Sequence, residues 1–439
     1  MKPKKVAFHT LGCKLNFSET STIARAFKDK GYELADFKDE ADVYVIHTCS
    51  VTSVAEKKCR TAISQANRRN PLAKVAVIGC YAQLRPDMLK DLEGVNVILG
   101  NKEKFDLLNY IESEGSTAEI PFATPAYEAC HVHTSDLKAD FSFSPSYSSG
   151  DRTRSFLKVQ DGCDYFCTYC TIPHARGRSR SGTIIETLES ARRAINEGIN
   201  EIILTGVNIG DFGKRNGEDF YGLLHALDQE QGLNRLRISS IEPELLNDRI
   251  IELAAKSKRI MPHFHIPLQS GNDEILEAMK RKYERKVFAD RVFKIKNLLP
   301  HACIAADVIV GFPGETDEHF SDTYNFIDSL DISCLHVFSY SERPGTFATG
   351  LKGHLNPIVK QTRSKKLHEL SEQKLQHFYQ QNKGIATKVL FESDRIKGYM
   401  YGFTENYIKV KTRYNHNLIN TIVEVQLDEL DEDAYVFKP

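Results

Sequence analysis

Two hydrophobic periodicities alternate along the first hundred residues of the chain. Short apolar runs typical of buried strands occupy residues 4–12, 42–47, 74–79 and 95–99. Between these runs, apolar residues recur with helical spacing at residues 16–30, 52–69 and 84–92. Parallel strands joined by helices need right-handed crossover connections, which place helices on both faces of the sheet. The pattern therefore predicts an α/β domain with a doubly wound parallel sheet.

The same alternation continues from residue 151 to residue 340. One strand leads into residue 163, and five more are predicted at residues 201–205, 235–240, 263–267, 302–310 and 335–340. Helical spacing is found at residues 183–197, 221–229, 247–255, 273–299 and 316–329, and in a long amphipathic helix at residues 356–381. Six strand-helix units are too few to close an eight-stranded barrel, so we predict a partial (β/α)6 barrel of the TIM type. Such a barrel binds its ligands at the carboxyl ends of its strands.

The last part of the chain changes character. Its short alternating runs, separated by Gly and Asn, are typical of a small β-barrel, and they occupy residues 387–392, 398–404, 407–410 and 422–427. We therefore predict domains at residues 1–112, 151–380 and 381–439, with a linker rich in Pro and Ser at residues 113–150.

Aromatic and basic residues alternate in the last domain. Tyr399, Tyr401, Phe403 and Tyr407 lie among lysines and an arginine, an arrangement that can stack on RNA bases and contact phosphates. The same rings could instead form the core of the small barrel. The basic residues of the helix at 356–381 similarly suit either phosphate contact or a solvated face.

Composition and charge restrict the possible partners and cellular location of the protein. The 439 residues include 58 Lys and Arg against 59 Asp and Glu, so any RNA-binding surface must be local. No apolar run approaches the roughly 20 residues of a membrane span, and the basic amino terminus is followed by a strand rather than by a signal-peptide core. We expect a cytoplasmic protein without membrane contact. Its 10 cysteines are expected to be metal ligands and core residues rather than disulfides.

Three cysteines are concentrated in residues 162–170, Gly-Cys-Asp-Tyr-Phe-Cys-Thr-Tyr-Cys. Cys163, Cys167 and Cys170 follow a C-x3-C-x2-C spacing, and three thiolates this close can ligate three irons of a 4Fe-4S cluster and leave the fourth iron open. A zinc site needs a fourth ligand, which His174 could supply. The three could also be structural cysteines without a metal. The spacing favours the iron-sulfur cluster.

Cys13, Cys49 and Cys80 each follow the carboxyl end of a predicted strand. Ligands of open α/β sheets bind at that edge, so these distant thiols can converge. Free cysteines are also common as small buried hydrophobes, and we favour that interpretation for Cys59, which lies inside a predicted helix. Three thiols at equivalent positions favour a second cluster. The Cys-His-Val-His sequence at residues 130–133 could bind a metal, but we interpret it as part of the linker.

These motifs resemble those of the radical S-adenosylmethionine (SAM) methylthiotransferases. Residues 163–170, with an aromatic residue before the third cysteine, match the radical SAM motif, and residues 171–181 are similar to the extended signature of the methylthiotransferase branch. The segments around the other cysteines resemble the motifs that hold an auxiliary 4Fe-4S cluster in the family, at residues 11–16, 48–51 and 79–83. His47 departs from the family, where Asn is common. The last domain is similar to TRAM, an OB-like RNA-binding module.

The resemblance implies that the six cysteines hold two 4Fe-4S clusters and that SAM binds the open iron of the cluster at 163–170. It implies SAM contacts at the loop and at strand ends, by Tyr169, Thr205, Gly206, Asn208, Glu242, Gln269 and Val310. In such enzymes one SAM molecule methylates a sulfur at the auxiliary cluster, and another yields the radical that removes hydrogen from the substrate. The cofactors then carry the chemistry, while the protein fixes distances and excludes water.

The variant at residues 12–16 is most similar to the subgroup that adds a methylthio group to C2 of N6-threonylcarbamoyladenosine at position 37 of tRNA. Other members act on isopentenyladenosine in tRNA or on an aspartate of a ribosomal protein, and both remain alternatives. From a different class, the chain could be a non-catalytic iron or zinc protein that binds RNA. The expected partners are the tRNA anticodon stem-loop and an electron donor such as flavodoxin or ferredoxin, and we expect a monomer.

Overall fold

A computed structural model describes residues 3–50, 53–113, 130–150 and 153–438. The strands of the amino-terminal domain are β1 (Lys5–Thr10), β2 (Glu33–Ala35), β3 (Val43–Thr48), β4 (Lys74–Gly79), β5 (Val95–Leu99) and β6 (His131–His133). Its helices are α1 (Lys14–Asp29), α2 (Ser53–Arg69), α3 (Cys80–Leu84), α4 (Pro86–Lys90) and α5 (Leu107–Ser113). All six strands are parallel, in the order β2-β1-β3-β4-β5-β6. The predicted doubly wound sheet is confirmed, because α1 and α5 cover one face while α2 and α4 cover the other.

The strand order opens a crevice between β1 and β3. The chain leaves β1 for the edge strand β2 and returns to β3 on the opposite side of β1. Connections that diverge in this way leave a ligand-binding crevice at the carboxyl ends of the strands. The sequence pattern did not predict β2 or β6, since each has only 3 residues and is too short to show a periodicity.

The central domain is a partial barrel with six strand-helix units, as predicted. Its strands are β7 (Ser146–Tyr147), β8 (Ser155–Lys158), β9 (Gln160–Asp161), β10 (Arg180–Ser181), β11 (Glu201–Thr205), β12 (Arg235–Ile238), β13 (His263–Gln269), β14 (Cys303–Val310) and β15 (Cys334–Ser339). Its helices are α6 (Ile172–Arg176), α7 (Ile184–Asn196), α8 (Phe220–Asp228), α9 (Asp248–Lys256), α10 (Asp273–Ala278), α11 (Arg285–Leu298), α12 (Asp317–Asp328) and α13 (Pro357–Gln381). The arcs β12-β11-β8-β7 and β13-β14-β15 are parallel apart from β7, and isolated parallel bridges join them.

Alternate residues of the barrel strands point to opposite faces. Leu157, Ile266 and Val308 belong to the core that the strands share with the surrounding helices, so the residues between them face the barrel interior. Phe156 is one of these inward residues, and its ring centroid lies 6.5 Å from that of Phe17 on α1. Helix α1 therefore lies against the inner side of β8, where the barrel is not closed.

The carboxyl-terminal domain is a six-stranded, mainly antiparallel sheet. Its strands are β16 (Ala386–Phe391), β17 (Tyr399–Thr404), β18 (Lys409–Arg413), β19 (Ile422–Gln426), β20 (Leu430–Asp431) and β21 (Ala434–Val436), in the order β19-β16-β17-β18-β21-β20. Two rings of the predicted aromatic run contact the barrel side of this domain. Tyr407 stacks on Phe403 at 4.7 Å and on His263 of the barrel at 4.5 Å, so these rings form a domain contact.

The predicted linker at 113–150 contains short strands where the structure describes it. Its residues 131–133 extend the first sheet as β6, and 146–147 extend the barrel as β7. Residues 114–129 of the linker lie outside the described residues, and the domain boundaries remain a prediction. Cys59 is fully buried in the core of the first domain. Among the described helices, none combines the length and the apolar character needed to cross a bilayer.

Candidate active site

The three amino-terminal cysteines lie at adjacent strand ends. Cys13 immediately precedes α1 after β1, Cys49 follows β3, and Cys80 begins α3 after β4. Because β1, β3 and β4 are neighbours, the structure brings these thiols to one edge, beside the crevice. Gly12 has φ of +101°, and a Cβ atom there would lie 2.8 Å from Cβ of Cys49. Only glycine allows this conformation and this close approach of two loops.

Polar side chains tie these cysteine loops together. The Thr48 hydroxyl accepts hydrogen bonds from the backbone N–H of Tyr81 at 3.1 Å and of Ala82 at 3.3 Å. The Asn16 amide donates to the carbonyls of Leu11 at 2.7 Å and of Thr48 at 3.1 Å. Asn16 thus joins the first loop to the second and Thr48 joins the second to the third, which fixes the three thiols relative to one another.

His47, the departure from the resembled family, lies beneath this edge. Its Nδ1 forms a 2.8 Å hydrogen bond with the Thr20 hydroxyl, and its Nε2 lies 3.6 Å from the Glu19 carboxylate. Burial is the main cause that lowers the pKa of His47 well below its usual value, and the Lys104 charge adds to it. The ring is therefore a neutral packing group at neutral pH.

The central cysteine loop has hydrogen-bond donors around its sulfur atoms. The N–H of Tyr165 lies 3.4 Å from Sγ of Cys163, and the N–H of Ile172 lies 3.4 Å from Sγ of Cys170. Gly162 has φ of +71°, and a Cβ atom there would lie 2.0 Å from a backbone carbonyl oxygen. The glycine allows the loop to fold back tightly, so that its thiols are gathered.

The Arg281 guanidinium completes this set of donors. Its Nη1 lies 3.1 Å from Sγ of Cys167, and its Nη2 pairs with the carboxylate of Glu242. Burial raises the pKa of the Cys167 thiol, although Arg281 opposes the effect, and burial raises the pKa of Cys170 to about 12. Free thiols here are protonated at neutral pH, so a metal that binds them must displace their protons.

A cavity of about 270 Å³ adjoins the central loop. Its lining includes Tyr169 and Cys170 from the loop and Gln269, Asp307 and Ile309 from the strand ends. Tyr169 and Gln269, two of the predicted SAM contacts, thus line the same cavity. The side chain of Val310 is buried in the barrel core instead, and its carbonyl accepts the N–H of Tyr340 at 2.8 Å.

The segment 205–208 begins at Thr205, the last residue of β11. The side-chain oxygen of Gln160 accepts the N–H of Val207 at 2.9 Å and of Asn208 at 2.7 Å, which fixes the backbone of this loop. A Cβ atom on Gly206 would lie 2.9 Å from the Gln160 carbonyl. Thr205 is buried, and the buried Oδ1 of Asn208 has no hydrogen-bond partner among the described residues. Such an orphan acceptor suits a ligand that donates a hydrogen bond.

Glu244 is a further buried acceptor that the sequence did not single out. Neither of its carboxylate oxygens accepts a hydrogen bond of good geometry within the described parts of the chain. The nearby Tyr165 phenol has a raised pKa, mainly because of burial and then because of the Glu244 charge. The carboxylate lies two residues after Glu242, so both acidic groups follow β12 on the side of the cysteine loop.

A buried ion network joins the two domains. Glu19 on α1 contacts Lys104 at 2.6 Å, Lys158 at 2.8 Å and Arg176 at 3.1 Å. Asp161 contacts Lys158 at 2.8 Å and Arg176 at 3.0 Å. Burial alone would raise the pKa of Glu19, but the charges of Arg176 and Lys104 hold it well below its usual value. Both carboxylates are therefore ionised and link α1 to the start of the barrel.

This network contains more positive than negative charge. Four buried cations, Lys104, Lys158, Arg176 and Arg180, surround the carboxylates of Glu19 and Asp161. Arg176 also interacts electrostatically with the thiols of Cys13 and Cys80. Buried cations are costly without anions, so an anionic group beside the amino-terminal cysteines would balance the site.

The two cysteine triplets meet at the domain junction. The Asn101 amide lies 3.6 Å from Sγ of Cys80 and donates to the carbonyl of Ala175 at 2.7 Å, just after the central loop. A cavity of about 350 Å³ at the junction is lined by Ser50, which follows Cys49, and by Thr171, which follows Cys170. Residues that directly follow a cysteine of each set therefore border one space.

Sequence reasoning missed the residues that surround these cysteines. Glu19 and Arg281 lie in segments without a motif of their own, and the extended signature that contains Arg176 assigned it no contact. Their partners are far along the chain, so periodicity carries no signal for them. The extended signature at 171–181 was the one pointer to Arg176.

Known proteins match both halves of this site. Residues 5–100 match the model of the Uncharacterized protein family UPF0004, and residues 157–327 match the Radical SAM superfamily. The Threonylcarbamoyladenosine tRNA methylthiotransferase MtaB of Bacillus subtilis is 39% identical over 428 residues, covering 96% of this chain and 93% of that protein. The protein of the same name from Aquifex aeolicus is 38% identical, covering 96% and 99%. A tRNA-2-methylthio-N(6)-dimethylallyladenosine synthase from Aliarcobacter butzleri is 31% identical, covering 97% of each chain.

Solved structures share the fold at low sequence identity. The radical S-adenosylmethionine methyltransferase TsrM from Kitasatospora setae, with cobalamin and a [4Fe-4S] cluster bound, has a TM-score of 0.54 at 15% identity, covering 77% of this chain and 72% of that chain. The cobalamin-dependent S-adenosylmethionine radical enzyme OxsB has a TM-score of 0.50 at 10% identity, covering 86% and 56%.

Proposed function

The chain belongs to the radical SAM methylthiotransferase family, and we propose that it adds a methylthio group to C2 of N6-threonylcarbamoyladenosine at position 37 of tRNA. Relatives named for threonylcarbamoyladenosine are more similar to this chain than those named for dimethylallyladenosine, which supports the substrate. The observation that carries the proposal is the meeting of two cysteine triplets at one domain junction.

Two 4Fe-4S clusters and SAM are the cofactors of this enzyme. We propose that residues 163–170 provide the thiols for one cluster, and that Cys13, Cys49 and Cys80 provide those for the other. Both sets of residues fit a cluster, since each offers three thiols. Backbone N–H groups face the sulfur atoms of the central loop, and the buried Arg176 interacts with the thiols of the amino-terminal set. When bound, these cofactors supply one-electron cleavage of SAM, hydrogen removal from the base and a methylated sulfur.

The residues of the chain position and shield the reacting groups. We propose that the loop 205–208 and Glu242 bind SAM, because the Gln160 side chain fixes the loop and Arg281 holds the carboxylate. We propose that Tyr169 and Gln269 contact SAM in the adjoining cavity. Val310 has a buried side chain, so we propose that it supports the SAM site through its position in β14 and not by a side-chain contact. The buried ion network keeps the two triplets at a constant separation, which a transfer between them requires.

We also propose that the last domain is a TRAM module that contacts the anticodon stem-loop. Arg413 lies 4.9 Å from the ring of Tyr399, and Lys409 lies 4.5 Å from the ring of Tyr401. Rings flanked by cations in this way can stack on bases and meet phosphates. An adenosine in a loop costs less to unstack than one in a duplex, which favours the stem-loop as substrate.

The electron donor, location and assembly are further proposals. Cleavage of SAM needs one electron, which supports a donor such as flavodoxin or ferredoxin. All ten cysteines are free thiols, as a reducing cytoplasm would keep them. The barrel contacts both other domains within a single chain, and we propose that the enzyme works as a monomer.

Mass spectrometry of tRNA nucleosides tests the function. The anaerobic enzyme is incubated with SAM and dithionite together with tRNA that carries N6-threonylcarbamoyladenosine, tRNA that carries isopentenyladenosine, or the ribosomal protein. We expect a methylthio product from the first substrate alone, and a product from another substrate would overturn the assignment. About eight irons per chain are expected, whereas one zinc and no product would indicate a non-catalytic RNA-binding protein.

A further inference from the structure

A compact polar cluster lies in the barrel interior, apart from the cysteines. Nε2 of His265 lies 2.7 Å from Oδ1 of Asp307, and Nδ1 of His336 lies 3.1 Å from the same oxygen. Burial alone would raise the pKa of Asp307, but the hydrogen bonds with His265 and His336 lower it well below its usual value. The carboxylate is therefore ionised and already hydrogen-bonded to two imidazoles.

Lys14 brings a further cation to the same interior. It is the first residue of α1, the helix that lies against the inner side of β8. The charged groups that act most strongly on its ammonium are Arg154, Arg237, Glu201 and Asp307, all in the barrel.

Both carboxylates near Lys14 are already paired. Glu201 pairs with Arg237 at 3.0 Å, and Asp307 pairs with the two imidazoles. Within the described ranges Lys14 itself forms no ion pair. A half-buried ammonium without an anion is unfavourable, so the interior is suited to receive a carboxylate from outside.

The cavity beside the cysteine loop reaches this cluster. Asp307 and Phe338 belong to its lining together with Tyr169 and Cys170. His336 is 48% exposed on the side chain and projects into accessible space next to Phe338. Lys14 is not in the cavity lining, but its charge acts on Asp307, which is. A base whose C2 faces the cysteine loop would therefore approach Lys14 by extending its N6 substituent past Asp307.

We propose that Lys14, assisted by His336, recognises the carboxylate of the threonylcarbamoyl group and so selects this substrate. The inference rests on the proposed function. A threonylcarbamoyl substituent carries a carboxylate and a hydroxyl, whereas an isopentenyl substituent is apolar and offers nothing to an ammonium. Ligand atoms of His265, Asp307 and His336 lie within 4.8 Å of one another, as in a metal site, but the positive charge of Lys14 near Asp307 opposes a divalent ion.

Binding measurements test this role without turnover. Anaerobically reconstituted protein is titrated with fluorescein-labelled anticodon stem-loops that carry either N6-threonylcarbamoyladenosine or unmodified adenosine at position 37. Because Lys14→Met removes the ammonium that would pair with the carboxylate, it should weaken binding of the modified stem-loop about 10- to 100-fold and leave binding of the unmodified one unchanged. Lys14→Arg should restore most of the affinity, and Lys28→Met, at the exposed end of the same helix, should change neither.

A second variant covers the case in which Lys14→Met loses iron from the neighbouring cysteines. His336→Leu is remote from them along the chain and should weaken binding of the modified stem-loop selectively. The inference is overturned if both variants bind the two stem-loops as the wild type does. It is also overturned if the wild type holds one divalent metal beyond the clusters and His336→Leu loses it. In either case the proposed function stands. If the wild type shows no preference and yields no methylthio nucleoside, the proposed function itself fails.

Discussion

Replacing Glu19 with glutamine tests whether the buried ion network holds the two domains together. Glu19 is fully buried and contacts Lys104 at 2.6 Å, Lys158 at 2.8 Å and Arg176 at 3.1 Å. Glutamine keeps the shape of the side chain but removes the charge that these three cations share. Removal of one partner from a buried ion pair costs about 3–5 kcal/mol, because the other charge remains buried without compensation.

Two features of the network place the cost at the lower end of this range. Burial lowers the pKa of Lys104 to about 8, so this lysine can release its proton near neutral pH when its anion is removed. Asp161 still pairs with Lys158 and Arg176. We therefore expect Glu19→Gln to lower the free energy of unfolding by about 3 kcal/mol.

Urea unfolding of the apoprotein measures this change in stability. Tyrosine fluorescence is the probe, because the chain has no Trp and 18 Tyr. With a slope of about 3 kcal/mol per molar urea, the midpoint should fall by about 1 M. Glu112→Gln is the matched control, since Glu112 pairs with Lys30 at 3.3 Å on the surface of the same domain and should leave the midpoint unchanged. Equal midpoints for the two variants would refute the reasoning.

Three further predictions concern the clusters. Cys163→Ala should abolish formation of 5'-deoxyadenosine, whereas Cys13→Ala should retain it and lose methylthio transfer; chromatography of both products decides, and transfer by Cys13→Ala would contradict the auxiliary role. Gly12→Ala should lower bound iron from about eight to about four per chain, because its φ of +101° and the 2.8 Å approach to the next cysteine loop exclude a side chain. An iron assay reads this change, and full iron content would speak against the steric argument. Arg281→Gln should make the reduction potential of the radical SAM cluster more negative, since a cation 3.1 Å from a ligand sulfur stabilises the reduced state; a redox titration followed by electron paramagnetic resonance checks this, and an unchanged potential means that the contact is only structural.

Local features of the site could be predicted because neighbouring residues define them. The spacing of Cys163, Cys167 and Cys170 is contained in one loop, and that spacing alone favours an iron-sulfur cluster over a zinc site. The strand-end positions of Cys13 and Cys49 followed from alternating periodicity, which parallel sheets impose on sequence. The contacts of these thiols could not be predicted, since Arg281 and Asn101 reach the sulfur atoms only through folding.

The sequence by itself determined the alternation of the longer strands and helices, the partial barrel and the position of each thiol at a strand end or in the central loop, because each depends on residues close together in the chain. Only the tertiary structure decided where these parts meet. The position of the short strand β2 at the sheet edge determines where the crevice lies. Glu19 pairs with cations of two domains, and Lys14 lies near the charged groups of the barrel interior at the start of α1. Burial and charge balance at these points arise from contacts between distant residues, and such contacts leave no periodic signal in the chain.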